Sequence, residues 1–84
     1  MIERLRTSLR ALSTLTPTEL MAPATERLRG DCADALRLEL DCPQQALTPS
    51  QRSALSHLNS LLEEPAALPD VLASAVRGAW RAIA

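Results

Sequence analysis

The stretch Leu15-Thr16-Pro17-Thr18-Glu19 contains the signal that most strongly determines the fold. Thr at an N-cap position, Pro at the first helical position and Glu at the third form a capping box that starts with Pro. The same arrangement recurs in Leu47-Thr48-Pro49-Ser50-Gln51, with Gln in place of Glu. The likeness ends after these five positions, so we interpret the two stretches as two helix starts and not as a domain repeat.

Before the first of these starts, apolar residues recur at spacings of three and four among polar ones: Ile2, Leu5, Leu9 and Leu12. This period predicts an amphipathic helix over about residues 2–14. A helix with Arg opposite its apolar stripe can also lie on a membrane, but such helices usually add aromatic and further cationic residues. We therefore expect this helix to pack on the rest of the protein.

After the first start, Pro23 follows within about one helical turn. A Pro inside a helix removes a hydrogen bond and clashes with the preceding turn. The sequence therefore predicts either a one-turn helix followed by a new start at Pro23, or a kink. Gly30 then predicts a helix end, and Asp31 predicts a new N-cap.

The segment Ala35-Leu36-Arg37-Leu38-Glu39-Leu40-Asp41-Cys42 alternates apolar and polar residues, which is typical of a strand. Its residues are nevertheless good helix formers, and no second strand is predicted that could pair with it. We interpret residues 32–41 as a helix with apolar side chains over more than half of its circumference. Such a helix is buried on two sides, or is buried on one side and docked on a partner with the other.

Two further helices complete the chain. Residues 49–64 carry an apolar stripe of Ala54, Leu55, Leu58, Leu61 and Leu62, and Pro65 follows Glu63-Glu64. The last helix starts at Pro69-Asp70, with a stripe of Leu72, Ala75, Val76, Ala79 and Ile83. A loop over 42–45 separates the third helix from the fourth. We predict an all-α fold, a compact bundle of four to five short helices in a single domain over residues 1–84.

The composition of the chain narrows the functions that we consider. Ala and Leu dominate, Phe and Tyr are absent, and Trp80 is the only aromatic residue, so aromatic platforms for stacking bases are missing. All nine basic residues are Arg, a usage typical of a GC-rich bacterial genome, and no Lys side chain is present for Schiff-base or P-loop chemistry. No secretory signal or membrane span is evident, so we expect a cytoplasmic protein.

Residues for catalysis or metal binding are few. His57 is the only imidazole, and Cys32 and Cys42 are the only thiols, which with His57 do not provide the four ligands of a zinc site. We expect His57 to be solvated or hydrogen-bonded at the edge of its apolar stripe, and both thiols to be buried. No Gly-flanked Ser nucleophile is present, and a domain this small has little volume for a pocket. We therefore expect no enzyme, no cofactor and no small-molecule substrate.

Charge is segregated along the chain. Residues 1–29 carry five Arg against three acidic residues, residues 30–70 carry two Arg against seven, and residues 71–84 carry two Arg. This pattern either closes the bundle through internal ion pairs, which is the more usual outcome, or presents two faces of opposite sign. The net charge is only −1, so nucleic acid is not an expected partner.

One alternative is a DNA-binding regulator. The stretch Leu47-Thr48-Pro49-Ser50-Gln51-Arg52, with Leu55 and Leu58, resembles the start of the first helix of response-regulator-type helix-turn-helix domains. The resemblance covers about a dozen residues and implies that the next helix would read base edges. The following segment, Val71-Leu72-Ala73-Ser74-Ala75, lacks the polar side chains that such readout needs.

Association with another protein is the function that we favour. A core this small gives marginal stability, which association can increase. We expect a protein–protein interaction module, as an adaptor, regulator or accessory subunit, that binds a partner or a second copy of itself as a homo-oligomer. The predicted docking residues are Leu36, Leu38, Leu40, Arg77, Trp80 and Arg81. An acidic rim would select the partner: Asp31, Asp34, Glu39, Asp41, Glu63 and Glu64.

Overall fold

The fold is all-α in a computed structural model that describes residues 3–42, 46–64 and 67–84. The helices are α1 (Glu3–Ser13), α2 (Pro17–Leu20), α3 (Glu26–Asp41), α4 (Pro49–Glu63) and α5 (Pro69–Ile83), and the described residues contain no strand. A 3₁₀ turn, Pro23–Thr25, links α2 to α3. The prediction of an all-α bundle of four to five short helices is confirmed. The predicted helix start at residue 2, the loop over 43–45 and the stop at Pro65 lie outside the described residues.

Both capping boxes form as predicted. The Thr16 hydroxyl accepts a hydrogen bond from the Glu19 amide at 3.2 Å, and the Glu19 carboxylate accepts one from the Thr16 amide at 3.0 Å. Thr48 and Gln51 repeat this pattern at 3.1 and 3.0 Å. These bonds satisfy backbone groups that a helix start otherwise leaves without partners. Because the interaction is local, the sequence was sufficient to locate the starts of α2 and α4.

The segment after α2 follows the first of the two predicted alternatives. Helix α2 ends at Leu20 after a single turn, and the 3₁₀ turn begins at Pro23. The prediction of a helix end at Gly30 and a new N-cap at Asp31 is wrong, because α3 continues from Glu26 through both residues. Gly30 has no positive φ and lies in ordinary helical backbone, although none of residues 26–31 is buried. A Gly inside a helix costs only about 1 kcal/mol relative to Ala, which is too little to end a helix of 16 residues by itself.

Segment 35–42 is helical as far as Asp41, so the helix interpretation of the alternating segment is confirmed. Its buried residues are Cys32, Ala35, Leu36 and Glu39. Their spacing of three and four defines one stripe along α3, not two opposite faces. Of the two alternatives, burial on two sides is therefore wrong, because Leu38 on the other side is 50% exposed. Docking of that side on a partner stays a prediction.

The four long helices form a closed ring around the core. Helix α1 packs on α3 and α5, and α4 packs on the same two helices from the other side. The predicted stripe of α5 is buried throughout, and α1 turns its apolar stripe of Leu5, Leu9 and Leu12 into the core. The seam between α1 and α5 consequently lies on the opposite side of the bundle from the seam between α3 and α4. The short helix α2 packs on α5.

Helices α4 and α5 run antiparallel. The Gln51 side chain, in the first turn of α4, donates a hydrogen bond of 3.1 Å to the carbonyl oxygen of Ala82, in the last turn of α5. The opposite ends of the two helices are joined by a short connection, residues 64–68. The two helices therefore lie side by side along their length.

Candidate functional site

The three leucines predicted as a docking surface lie on two sides of α3, Leu36 and Leu40 toward the core and Leu38 toward the surface. Leu36 is fully buried, Leu40 is half-buried against the core, and Leu38 is 50% exposed. Successive residues of a helix are about 100° apart, so residues two apart lie about 200° from each other. The three leucines would share a face in a strand, but in α3 they cannot form one surface.

One of the six residues of the predicted acidic rim, Glu39, does not lie at the surface. Glu39 is fully buried on the core side of α3, so it cannot select a partner at the surface. The other five residues of the rim are exposed. The sequence placed Glu39 with them because charged residues are rarely buried.

Trp80 lies in a seam between two helices. It is half-buried against the core, and with α1 it lines a small cleft of about 100 Å³ formed with Glu3, Arg6, Thr7 and Arg10. Arg77 lies one turn before Trp80 on α5, and Arg81 lies one turn after Arg77. We call Trp80 with Arg6, Arg10, Arg77 and Arg81 the basic seam.

The arginines of the basic seam are exposed and lack acidic partners. None of the four makes an ion pair with a carboxylate in the described parts of the chain. Arg6 and Arg10 are four residues apart on α1, as are Arg77 and Arg81 on α5, a spacing at which like charges repel by roughly 0.2–0.5 kcal/mol per pair. The seam therefore concentrates four positive charges, against which the lining of its cleft provides a single carboxylate, that of Glu3.

Charge is thus distributed over two faces. Helices α1 and α5 together carry five Arg against two acidic residues, whereas α3 and α4 carry four Arg against six. Among the described residues, Arg4 and Asp31 are the ion pair that joins two helices, at 3.9 Å with both side chains about half exposed. Arg37 and Asp34 pair within α3. Of the two alternatives derived from the charge pattern, this arrangement favours faces of opposite sign.

A larger cleft lies between α3 and α4, on the opposite side of the bundle. Its volume of about 330 Å³ is at the lower end of the range for ligand pockets, although we expected little room for one. We call it the α3–α4 cleft, and its lining residues are Met21, Glu26, Arg29, Gly30, Ala33, Leu62 and Glu64.

The one cation that lines the α3–α4 cleft is held by the backbone. The guanidinium Nη1 of Arg29 donates to the carbonyl oxygens of Leu20 and Ala22, the latter at 3.1 Å, and to the Thr25 hydroxyl at 2.9 Å. The Thr25 hydroxyl in turn donates to the Glu19 carbonyl oxygen at 2.6 Å. Arg29 therefore caps the end of α2. Because its partners are neutral, it keeps its positive charge, and the cleft is lined by this one cation and by the carboxylates of Glu26 and Glu64.

The residues considered for catalysis do not come together. His57 is exposed on α4, as expected for a solvated side chain. Cys32 is buried as predicted, and burial raises the pKa of its thiol to about 12. The prediction for Cys42 is wrong, because this thiol is exposed at the end of α3, where the helix leaves the core. Within the described residues, no group of three or more His, Cys, Asp or Glu is arranged to hold a metal ion.

The arrangement of α4 and α5 differs from a helix-turn-helix. In that motif the two helices cross at about 90–120°. Helices α4 and α5 instead lie antiparallel and side by side, and the Gln51–Ala82 hydrogen bond links the first turn of α4 to the last turn of α5. The likeness around Thr48 is therefore limited to the capping box. Separately, no helix among the described residues has the length and apolar character needed to cross a membrane.

Arg6 and Arg10 are the site residues that sequence reasoning missed. Their spacing and exposure were visible in the sequence, but nothing there places α1 beside α5. Comparisons with protein-family models, with curated proteins and with solved structures find no match to this chain.

Proposed function

We propose that this chain is a small, non-enzymatic protein–protein interaction module that docks through the basic seam. The observation that carries the proposal is the arrangement around Trp80, where a half-buried indole is flanked by four exposed arginines without described acidic partners. Trp and Arg are enriched among residues that dominate binding energy at interfaces. Leu36 and Leu40 drop out of the docking surface, because both pack in or against the core.

The charge of the seam supports a protein partner with an acidic surface. Complementary potentials steer association and suppress wrong partners, and an acidic surface would relieve the repulsion within each arginine pair. The indole supplies a large apolar contact area at the centre of the charged region. A partner would thus contact both the indole and the surrounding guanidinium groups.

Site-specific photo-cross-linking tests the proposal. A photo-reactive residue replaces Arg77 in the seam or, as a matched control, the exposed Arg52 on α4. We expect discrete protein adducts from position 77 that disappear when R6E and R10E are added, and no such adducts from position 52. Equal labelling from both positions, or no protein adduct from position 77, would contradict the proposal.

The same experiment separates the DNA-binding alternative. Adducts that are removed by nuclease treatment would mark a nucleic-acid surface, and binding to random duplex would then weaken steeply with salt. We expect the adducts formed from position 77 to resist nuclease treatment.

A further inference from the structure

We infer that the partner of the basic seam is a second copy of this chain, which docks the rim of its α3–α4 cleft on the seam in a head-to-tail contact. The inference rests on the proposed function and names the partner. It commits to the acidic residues Glu26, Glu63 and Glu64 as the complementary surface.

The first support is the position of the two surfaces. The α1–α5 seam and the α3–α4 seam lie on opposite sides of the four-helix ring. Glu26 and Glu64 line the α3–α4 cleft, and Glu63 is exposed beside Glu64 at the end of α4. Because the two surfaces differ and lie on opposite sides, each copy can bind a second copy through its basic seam and a third copy through the rim of its α3–α4 cleft.

The second support is the unfavourable placement of Glu63 and Glu64. They occupy the last position and the C-cap of α4, where the helix dipole favours cations. No ion pair joins either carboxylate to another described residue. Two acidic residues at this end therefore do not serve the stability of the helix, and they are available to the arginines of another copy.

The third support is the low net charge. A chain with a net charge of −1 has little overall repulsion between copies. The separated faces instead provide local attraction between unlike surfaces. An isologous contact, seam on seam, would bring the arginines of two copies together and is disfavoured by the same charges.

Light scattering across a concentration series tests the inference. In about 10 mM salt we expect the average mass to rise above the 9.1 kDa monomer mass with concentration and to continue past the dimer. In about 1 M salt, where the screening length falls to about 3 Å, we expect the monomer mass. A monomer in both salts, or association that strengthens with salt, would overturn the inference.

Paired variants make the test directional. The double variant R6E/R77E cancels the net charge of the basic seam and keeps the acidic rim of the α3–α4 cleft, whereas E63Q/E64Q neutralises that rim and keeps the seam. We expect each variant alone to be monomeric in low salt, and their equimolar mixture to stop at about twice the monomer mass, because only one pair of surfaces remains. A mixture that stays monomeric, or that grows past the dimer, would overturn the head-to-tail contact.

Two controls complete the design. R27E/R52E changes the net charge as much as R6E/R77E does but lies outside the seam, and we expect it to associate as the unmodified chain does. Circular dichroism checks that every variant is folded. If the chain is monomeric throughout but position 77 still cross-links to another protein, the second-copy inference fails and the proposed function stands; if neither is seen, both fail.

Discussion

Replacing Arg29 with Met should destabilise the protein through the end of α2. The Arg29 guanidinium satisfies the carbonyl oxygens of Leu20 and Ala22 and bonds the Thr25 hydroxyl. Hydrogen bonds to charged groups contribute about 1.5–3 kcal/mol each, but these groups are only partly buried, and water replaces part of what is lost. We therefore expect a loss of about 2 kcal/mol for the whole cluster.

Urea unfolding followed by Trp80 fluorescence and circular dichroism measures this loss. For a domain of this size, about 2 kcal/mol corresponds to a fall of roughly 1–2 M in the urea midpoint and of about 8–16 °C in Tm. Met retains the helix propensity and the apolar stem of Arg. The change therefore isolates the guanidinium.

Arg27→Met is the matched control. Arg27 is exposed on the same helix and makes no hydrogen bond or ion pair with another described residue, so we expect its midpoint to stay close to that of the unmodified protein. The urea midpoint of Arg29→Lys should lie between those of R29M and R27M, because an ammonium group keeps the charge but cannot reproduce the planar fork of Arg. If R29M and R27M unfold at the same urea concentration, the capping role assigned to Arg29 is refuted.

Three further predictions concern stability and thiol chemistry. Thr16→Ala and Thr48→Ala should each cost about 1 kcal/mol in urea unfolding through loss of a capping box; two neutral substitutions would contradict this. Gly30→Ala should stabilise α3 by up to about 1 kcal/mol, because an added Cβ meets no atom within 4 Å, and a lower urea midpoint would show hidden crowding. In the folded protein a thiol reagent at pH 8 should label the exposed Cys42 rapidly and Cys32 only on unfolding; equal labelling rates would refute the burial. The pKa of Cys32 is raised to about 12 from 9.0 by burial. The contribution of this thiol to the free energy of unfolding is therefore complete below pH 9 and is lost as the pH rises from 9 to 12, because only the unfolded thiol ionises in that range. Cys32→Ala should remove this part of the pH dependence of the free energy of unfolding.

The features that the sequence predicted well are those set by neighbouring residues. The starts of α2 and α4 follow from capping boxes whose partners are three residues apart, and the stripe of α5 follows from a regular helical period. Pro23 likewise ended α2 through its own ring and its missing amide hydrogen. Such interactions require no knowledge of where the other helices lie.

The sequence predicted α3 less completely. It indicated a helix over 32–41, but the helix begins at Glu26 and continues through Gly30 and Asp31, because one Gly costs a helix only about 1 kcal/mol. The alternation of Leu36, Leu38 and Leu40 gave a mistaken impression of a shared face. Which of them is buried depends on the positions of α1 and α4, and those positions are not encoded in the local pattern.

The sequence by itself determined the helical class, two helix starts, the apolar faces of α1 and α5, and the segregation of charge along the chain. The tertiary structure decided where those charges lie in space. Arg6 and Trp80 stand at opposite ends of the sequence and line one cleft only because the ring closes α1 against α5. Closure of the ring depends on burying several apolar stripes together, a cooperative effect of contacts between residues distant in sequence, so only the folded chain reveals the basic seam.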